Sequence, residues 1–162
     1  MKAISGLGHV AIKVKDVERS MAFYNGVLKL PEMLRLQHDD GSLFLIYLRI
    51  TDTQYLEIFP DAANDRAPEL DANGVHHFCL TVEKLEPFLE AVAANGGSFA
   101  AWTQTASGQD LLASSEPQIA NGLDGNRQAW LMDPDGNRIE LMEMAPDCLQ
   151  YKAIRRLQSE MT

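Results

Sequence analysis

Two cysteines, Cys79 and Cys148, are all the thiol chemistry this 162-residue chain offers. They cannot make a disulfide framework, and with no Cys-x-x-Cys pair a zinc ribbon is excluded. No stretch approaches the ~18 apolar residues of a membrane-spanning helix. Met1 to Gly6 lacks the long apolar run of a signal peptide. The expectation is a soluble, cytoplasmic protein with reduced thiols. Positive charge is also scarce: 14 Lys+Arg against 23 Asp+Glu give a net −9. That balance argues against nucleic acid or an anionic membrane as partner. What is present is an ordinary globular mixture, 46% hydrophobic and 23% charged. At this length a core needs no covalent staple.

The chain reads as two copies of one plan. The segment Gly6-Leu7-Gly8-His9-Val10-Ala11-Ile12-Lys13-Val14 resembles Gly74-Val75-His76-His77-Phe78-Cys79-Leu80-Thr81-Val82 at an offset of 68. Both alternate like strands. A helix is expected after each. Asp16 can cap the first, whose Val17, Met21, Tyr24 and Leu28 form one stripe. Leu85, Phe88, Leu89 and Val92 form the second, which stops at Asn95-Gly96-Gly97. Two hairpins then match at an offset of 83: residues 44–50 with 55–59, and 128–132 with 138–142. Asp133-Pro134-Asp135-Gly136-Asn137 supplies the second turn.

These boundaries give one domain over residues 1–162. Module one covers residues 5–60, an acidic linker 61–73 and module two 74–144. The tail, 145–162, carries Leu149, Ala153, Ile154 and Leu157 as an amphipathic stripe, with Arg155 and Arg156 beyond it. The change of offset leaves 15 extra residues within 98–127. That polar stretch is expected to be a long, mobile loop covering the site.

Strand alternation sorts the side chains by face. Val10, Ile12 and Val14 form the apolar set expected under a helix, so His9 points the other way with Ala11 and Lys13. His77 likewise opposes Phe78, Leu80 and Val82. Glu57 shares a face with Tyr55 and Phe59, and Glu140 shares one with Arg138 and Met142. Two imidazoles and two carboxylates thus occupy matching positions on the faces away from the helices. Each alone reads as an ordinary solvated strand residue; jointly they suit a divalent metal, which accepts imidazole nitrogen and carboxylate oxygen. Two glutamates neutralise a 2+ ion, and four protein ligands leave open positions for a substrate's oxygens.

At these residues the chain resembles the vicinal-oxygen-chelate superfamily, which includes glyoxalase I, extradiol dioxygenases, methylmalonyl-CoA epimerases and fosfomycin-resistance enzymes. The resemblance spans about residues 5–144. It is carried by Gly8 to Asp16, by Phe23-Tyr24 with Leu28, and most strongly by Asp133-Pro134-Asp135-Gly136-Asn137-Arg138-Ile139-Glu140-Leu141. It implies an α+β fold of two βαβββ modules, with cupped mixed sheets and helices on the outer face. It implies His9, Glu57, His77 and Glu140 as metal ligands, the metal being Zn, Ni, Co, Mn or Fe. His76, beside the matching histidine, is expected on the helix side.

A His/Glu/His/Glu set looks most like glyoxalase I, a lactoylglutathione lyase. The implied activity is that of a metal-dependent lyase or isomerase, with proton transfer through an enediolate and Glu140, or else Glu57, as base. Lys13, Tyr55, Phe59 and Arg138 are candidate substrate contacts. The substrate would be a small oxygen-chelating molecule, and a glutathione adduct is one candidate. The family places Arg and Asn where this chain has Lys13 and Asp61, and Asp61 would repel a carboxylate. The alternatives are a ferrous extradiol dioxygenase and a non-enzymatic, drug-sequestering protein. Small members of the superfamily are habitually dimeric, so a homodimer is expected.

Overall fold

A computed structural model describes residues 4–106 and 108–160. The fold is mixed α+β, and the chain divides into two compact units. Unit 1 holds the chain up to Glu69 together with Asp133–Asn137; unit 2 holds Leu70–Met132 and the chain from Arg138 onward.

Unit 1 runs β1 (His9–Lys13), α1 (Val17–Met21), a π-helical continuation (Ala22–Val27), β2 (Glu32–Gln37), β3 (Leu43–Arg49) and β4 (Tyr55–Phe59). Its sheet has the order β1-β4-β3-β2, with β1 parallel to β4 and the other pairs antiparallel. Unit 2 runs β5 (Phe78–Thr81), α2 (Leu85–Ala94), β6 (Phe99–Thr105), β7 (Gly108–Ser114), β8 (Ala120–Asn121), β9 (Arg127–Met132), β10 (Arg138–Glu143) and α3 (Leu149–Glu160). Its order is β5-β10-β9-β6-β7, with β8 on β9 and β5 parallel to β10. Each unit is therefore a βαβββ module whose first and last strands pair in parallel. None of the helices is long and apolar enough to cross a membrane, among the described residues.

Burial follows the alternation. Val14, Ile46, Leu48, Leu56 and Ile58 are buried in unit 1, and Leu85, Ala129, Leu131, Ile139 and Leu141 in unit 2. Asp16 caps α1 by accepting from the Arg19 N–H at 3.0 Å. The helix then widens: Leu28 N–H donates to the Phe23 carbonyl, a five-residue step. The extra residue per turn lets both Phe23 and Tyr24 face the core beside Met21 and Leu28, where a regular α-helix would present only Tyr24 of the two.

The Asp133–Asn137 turn is built by one buried carboxylate. Asp133 Oδ1 accepts from the backbone N–H groups of Asp135 and Asn137, and its Oδ2 accepts from Asn137 Nδ2 and from the fully buried Tyr24 hydroxyl at 2.7 Å. Gly136 takes the left-handed φ of 82° that the turn requires. Asp135 in turn pairs with Arg19 and accepts from Lys15 N–H.

The segment 98–127 differs from the sequence expectation. Instead of a mobile loop it folds mainly as the β6–β7 hairpin and β8. Phe99, Ala100, Ala101 and Leu111 are buried there. The short apolar run Phe99-Ala100-Ala101-Trp102 is enough to seat β6 beside β9, and β7 follows by backbone pairing. Averaging composition over thirty residues dilutes that run. Among the described residues, β7 and β8 are the extra chain that module two carries over module one.

α2 receives its N-terminal cap from a strand. Lys84, its N-cap residue, makes no side-chain cap bond. Glu143 of β10 accepts instead from Leu85 N–H (3.0 Å), Lys84 Nζ (2.9 Å) and Arg127 Nη1 (3.0 Å). These donors hold the Glu143 carboxyl down at about 2, against an ordinary value of 4.5. A carboxyl lowered by folding stabilises the fold above its ordinary value and loses that contribution as pH falls toward 2. In thermal melts Glu143→Gln is expected to melt below the wild type at pH 6, with the gap closing as pH falls from about 4.5 to 2.5. A gap independent of pH would contradict this role.

Candidate functional site

Unit 1 places its two ligand-type side chains on adjacent parallel strands. His9 opens β1, and Glu57 sits in β4 in register with Ala11. His9 Nδ1 lies 3.4 Å from Glu57 Oε1, the histidine half open (53%) and the glutamate closed in (7%). Tyr47 of β3 stands directly opposite Glu57 in the antiparallel ladder. A hydrogen bond with Glu57 is the main cause that pushes the Tyr47 phenol above its ordinary value.

Unit 2 repeats the arrangement. His77, just before β5, has its Nε2 3.2 Å from Glu140 Oε2 on β10. Trp130 of β9 stands opposite Glu140, as Tyr47 does opposite Glu57. Its ring meets His77 edge-on at 5.0 Å and Trp102 at 5.3 Å. Trp130 Nε1 is buried without a hydrogen-bond partner. An orphaned donor of this kind is uncommon in a settled core.

His76 is not on the helix side. It precedes β5, so strand alternation does not govern it; its ring stacks on Trp102 at an 11° interplanar angle. His76 Nδ1 is 2.8 Å from His77 Nδ1, and its carbonyl accepts from Arg138 Nε at 2.6 Å. Desolvation first, then Arg138 and His77, lowers the His76 imidazole. Arg138 is buried and spends this donor on the backbone that positions His77. Cys79 lies in register with Glu140. Desolvation of the sulfur and the neighbouring carboxylate push the thiol up to about 12, which favours the protonated thiol over a thiolate.

The other candidate substrate contacts divide between a pocket and the hairpin. A cavity of about 390 Å³ in unit 1 is lined by Lys13, His38, Phe44, Phe59 and Asp61, among others. Lys13 and Phe59 are paired across β1 and β4, one same-face step along β1 from Ala11, the partner of Glu57. The Phe44 ring packs against His38 at 5.1 Å and Phe59 at 5.4 Å. Asp61 adopts a left-handed φ of 63° at the rim. Tyr55 uses its hydroxyl on the Asp52 carbonyl, within the hairpin.

The donor chemistry of each pair fits a divalent metal. Two ligands held at roughly 2.0–2.2 Å from one ion stand about 2.9–3.5 Å apart, and both pairs already have that bite. The structure thus brings together His9 with Glu57 and His77 with Glu140, each within its own unit. Among the described residues no three His, Cys, Asp or Glu side chains come together as a metal-holding group. Sequence reasoning missed Tyr47. The signal was available: Tyr47 and Trp130 obey the same offset of 83 as Glu57 and Glu140.

Two βαβββ modules, each with an imidazole–carboxylate pair on the face away from its helix, define a duplicated sheet protein. The chain belongs to the Glyoxalase/Bleomycin resistance protein/Dioxygenase superfamily, which it matches over residues 6–141. It is 24% identical to YwkD, an uncharacterised protein of Bacillus subtilis (strain 168), over 142 residues covering 86% of this chain and 98% of that one. Its fold is similar to that of a glyoxalase family protein from Enterococcus faecalis (TM-score 0.64, 21% identity, 85% of this chain and 97% of that one). It is also similar to a lactoylglutathione lyase from Agrobacterium tumefaciens (TM-score 0.57, 20% identity, 87% and 95%). At these identities the solved structures establish the fold alone.

The influence of Glu57 on Tyr47 across the β3–β4 pair can be tested directly. An NMR pH titration is expected to show Tyr47 deprotonating above the ordinary phenol value of 10 in the wild type and moving back toward it in Glu57→Gln. An unchanged titration would mean that Glu57 does not hold the phenol proton.

Proposed function

We propose that the chain is a divalent-metal-dependent lyase or isomerase of glyoxalase-I type, acting on a small oxygen-chelating substrate. The observation that carries this reading is the repeated imidazole–carboxylate pair at chelating distance, His9–Glu57 and His77–Glu140. The four residues would serve one ion, the pairs being drawn from one chain or from two copies. When bound, the metal would polarise the substrate's oxygens as a Lewis acid.

The chain's own groups divide the remaining work. The proton to be moved lies on carbon beside a carbonyl, and a carboxylate is the natural carrier. Glu57 stands opposite Tyr47, whose phenol it pushes up, whereas Glu140 stands opposite the indole of Trp130, with Cys79 in register on the other side. Glu140 is therefore assigned to take the proton and return it. Lys13 and the Phe44–Phe59 wall would hold the rest of the substrate, with Lys13 meeting an anionic group and the rings an apolar one. Asp61, across the same pocket, disfavours a second carboxylate there, so glutathione is a weaker fit than a substrate with one negative end. Arg138, through the His76 backbone carbonyl, keeps His77 in place, and Tyr55 stiffens the hairpin that carries Glu57.

Metal analysis of the purified protein tests the ligand set. His9→Ala and His77→Ala are expected to lose most bound metal, whereas His76→Ala and His38→Ala retain it. Equal metal content in all four would refute the assignment.

With metal restored, an α-hydroxycarbonyl or thiohemiacetal substrate should be turned over without oxygen uptake. The hemithioacetal of methylglyoxal and glutathione is the first to try. Glu140→Gln is expected to lower turnover at least ~10²-fold while keeping much of the metal, since an amide can ligate but cannot act as base. Oxygen uptake with a catechol and ferrous iron would replace this reading with the dioxygenase one. A metal-free protein that binds an aromatic drug tightly would replace it with sequestration.

A further inference from the structure

His77 engages both of its ring nitrogens. Nε2 lies 3.2 Å from Glu140 Oε2, and Nδ1 lies 2.8 Å from His76 Nδ1. The first contact is the chelating pair; the second plays no part in it. Module one has no counterpart. His9 turns Nδ1, not Nε2, toward Glu57, and the residue that matches His76 at the offset of 68 is Gly8. The two modules thus present opposite nitrogens of their histidines, and module two alone backs its histidine with a second imidazole.

That second ring is held at several points. Arg138 Nε donates to the His76 carbonyl at 2.6 Å. The ring lies parallel to Trp102, at 11° with centroids 6.2 Å apart, and meets the His77 ring edge-on at 5.1 Å. Backbone and ring are both fixed, yet His76 is exposed, so its protons can exchange with water.

The protons on this chain of groups follow from donor and acceptor rules. A nitrogen–nitrogen hydrogen bond needs one proton and one bare lone pair, so only one of the two Nδ1 atoms carries hydrogen. Glu140, as a carboxylate, only accepts. In the metal-free protein His77 Nε2–H donates to it, a neutral His77 has a bare Nδ1, and His76 Nδ1–H donates to that. Ligation through His77 Nε2 requires the reverse, because a metal takes the bare nitrogen. His77 must then carry its proton on Nδ1 and donate to His76, whose own proton sits on Nε2. The protons balance. The N–H bond at His77 Nε2 breaks and its proton goes to water. The bridging proton passes from His76 Nδ1 to His77 Nδ1, and water supplies one proton to His76 Nε2. Both rings stay neutral.

We propose that His76 is a positioning residue that sets which nitrogen of His77 is free to ligate: its Nδ1 donates to His77 in the metal-free protein and accepts from His77 in the loaded one. The inference rests on the ligand set proposed above. Ligating histidines are ordinarily oriented by a carbonyl or carboxylate on the other nitrogen. Such a partner only accepts, and so matches the loaded state alone. An imidazole can change roles, so it holds the His77 ring in one orientation in both states.

Long-range proton–nitrogen NMR on the full chain with labelled histidine reads the tautomers directly. It is run at about pH 8.5, two units above the ordinary imidazole value. Without metal, His76 should be protonated on Nδ1 and His77 on Nε2; with Zn²⁺ alone added, both should reverse. His76→Phe keeps a ring against Trp102 and removes the nitrogen. It should weaken Zn²⁺ about 10-fold in competition with a chelator, a loss too small to empty the site in the purified protein. His76→Asn puts an amide near the place of Nδ1, able to accept or donate, and should recover most of that affinity. If His77 reverses on Zn²⁺ while His76 does not, or if His76→Phe binds as tightly as the wild type, the proposal is overturned and the ligand set stands. If the wild type binds Zn²⁺ no more tightly than His77→Ala, the ligand set is itself wrong and the proposal falls with it.

Discussion

The constraint on which the structure depends is the period of two in strands that have one face under a helix. Once Leu56 and Ile58 are committed to the core of unit 1, Glu57 has no choice of direction. Ile139 and Leu141 fix Glu140 in the same way in unit 2. A one-residue slip would bury the carboxylate under the helix and expose two large apolar side chains, at about 1.5–3 kcal/mol for each of them. The chemistry-bearing face is thus held in place by the opposite face. The parallel pairing of β1 with β4, and of β5 with β10, then brings each histidine to its glutamate, since strands separated by the whole module end up adjacent.

Duplication sets the positions but not the side-chain environment. Opposite each glutamate stands an aromatic residue with a polar handle, Tyr47 in one unit and Trp130 in the other. Glu57 pushes the Tyr47 phenol above its ordinary value, while the Trp130 indole N–H is buried without a hydrogen-bond partner. The two carboxylates therefore differ although their backbone settings repeat. Paired groups whose surroundings diverge can divide between structural and proton-carrying duties, which is the ground on which Glu140 rather than Glu57 is proposed as the proton carrier.

Much of this was legible in the sequence. The histidine and glutamate registers could be read because strand alternation and a fixed offset are geometric properties that survive divergence. Both hairpins and α2 were legible for the same reason. β6 and β7 were not, because β7 is held mainly by backbone pairing to β6, and backbone bonds leave little compositional trace. The π-widening after α1 was hidden because a stripe of Val17, Met21, Tyr24 and Leu28 satisfies a regular helix equally well. Only the neighbouring Phe23, also buried, betrays the wider turn. His76 failed for a different reason: alternation holds within a strand, and β5 begins two residues later.

The capping of α2 by Glu143 carries this reasoning a step further. A helix that starts at Lys84 without a side-chain cap would read locally as a weak beginning. The deficit is filled from fifty-eight residues away, by a strand residue that also ties Lys84 and Arg127. α2 is thus positioned by β10, the strand that carries Glu140. Because Ile139 and Leu141 lie buried beneath the same layer, any shift of α2 would be felt at the flanks of Glu140. The helix side of the sheet, which contains no candidate ligand, thereby sets how firmly the ligand side is held.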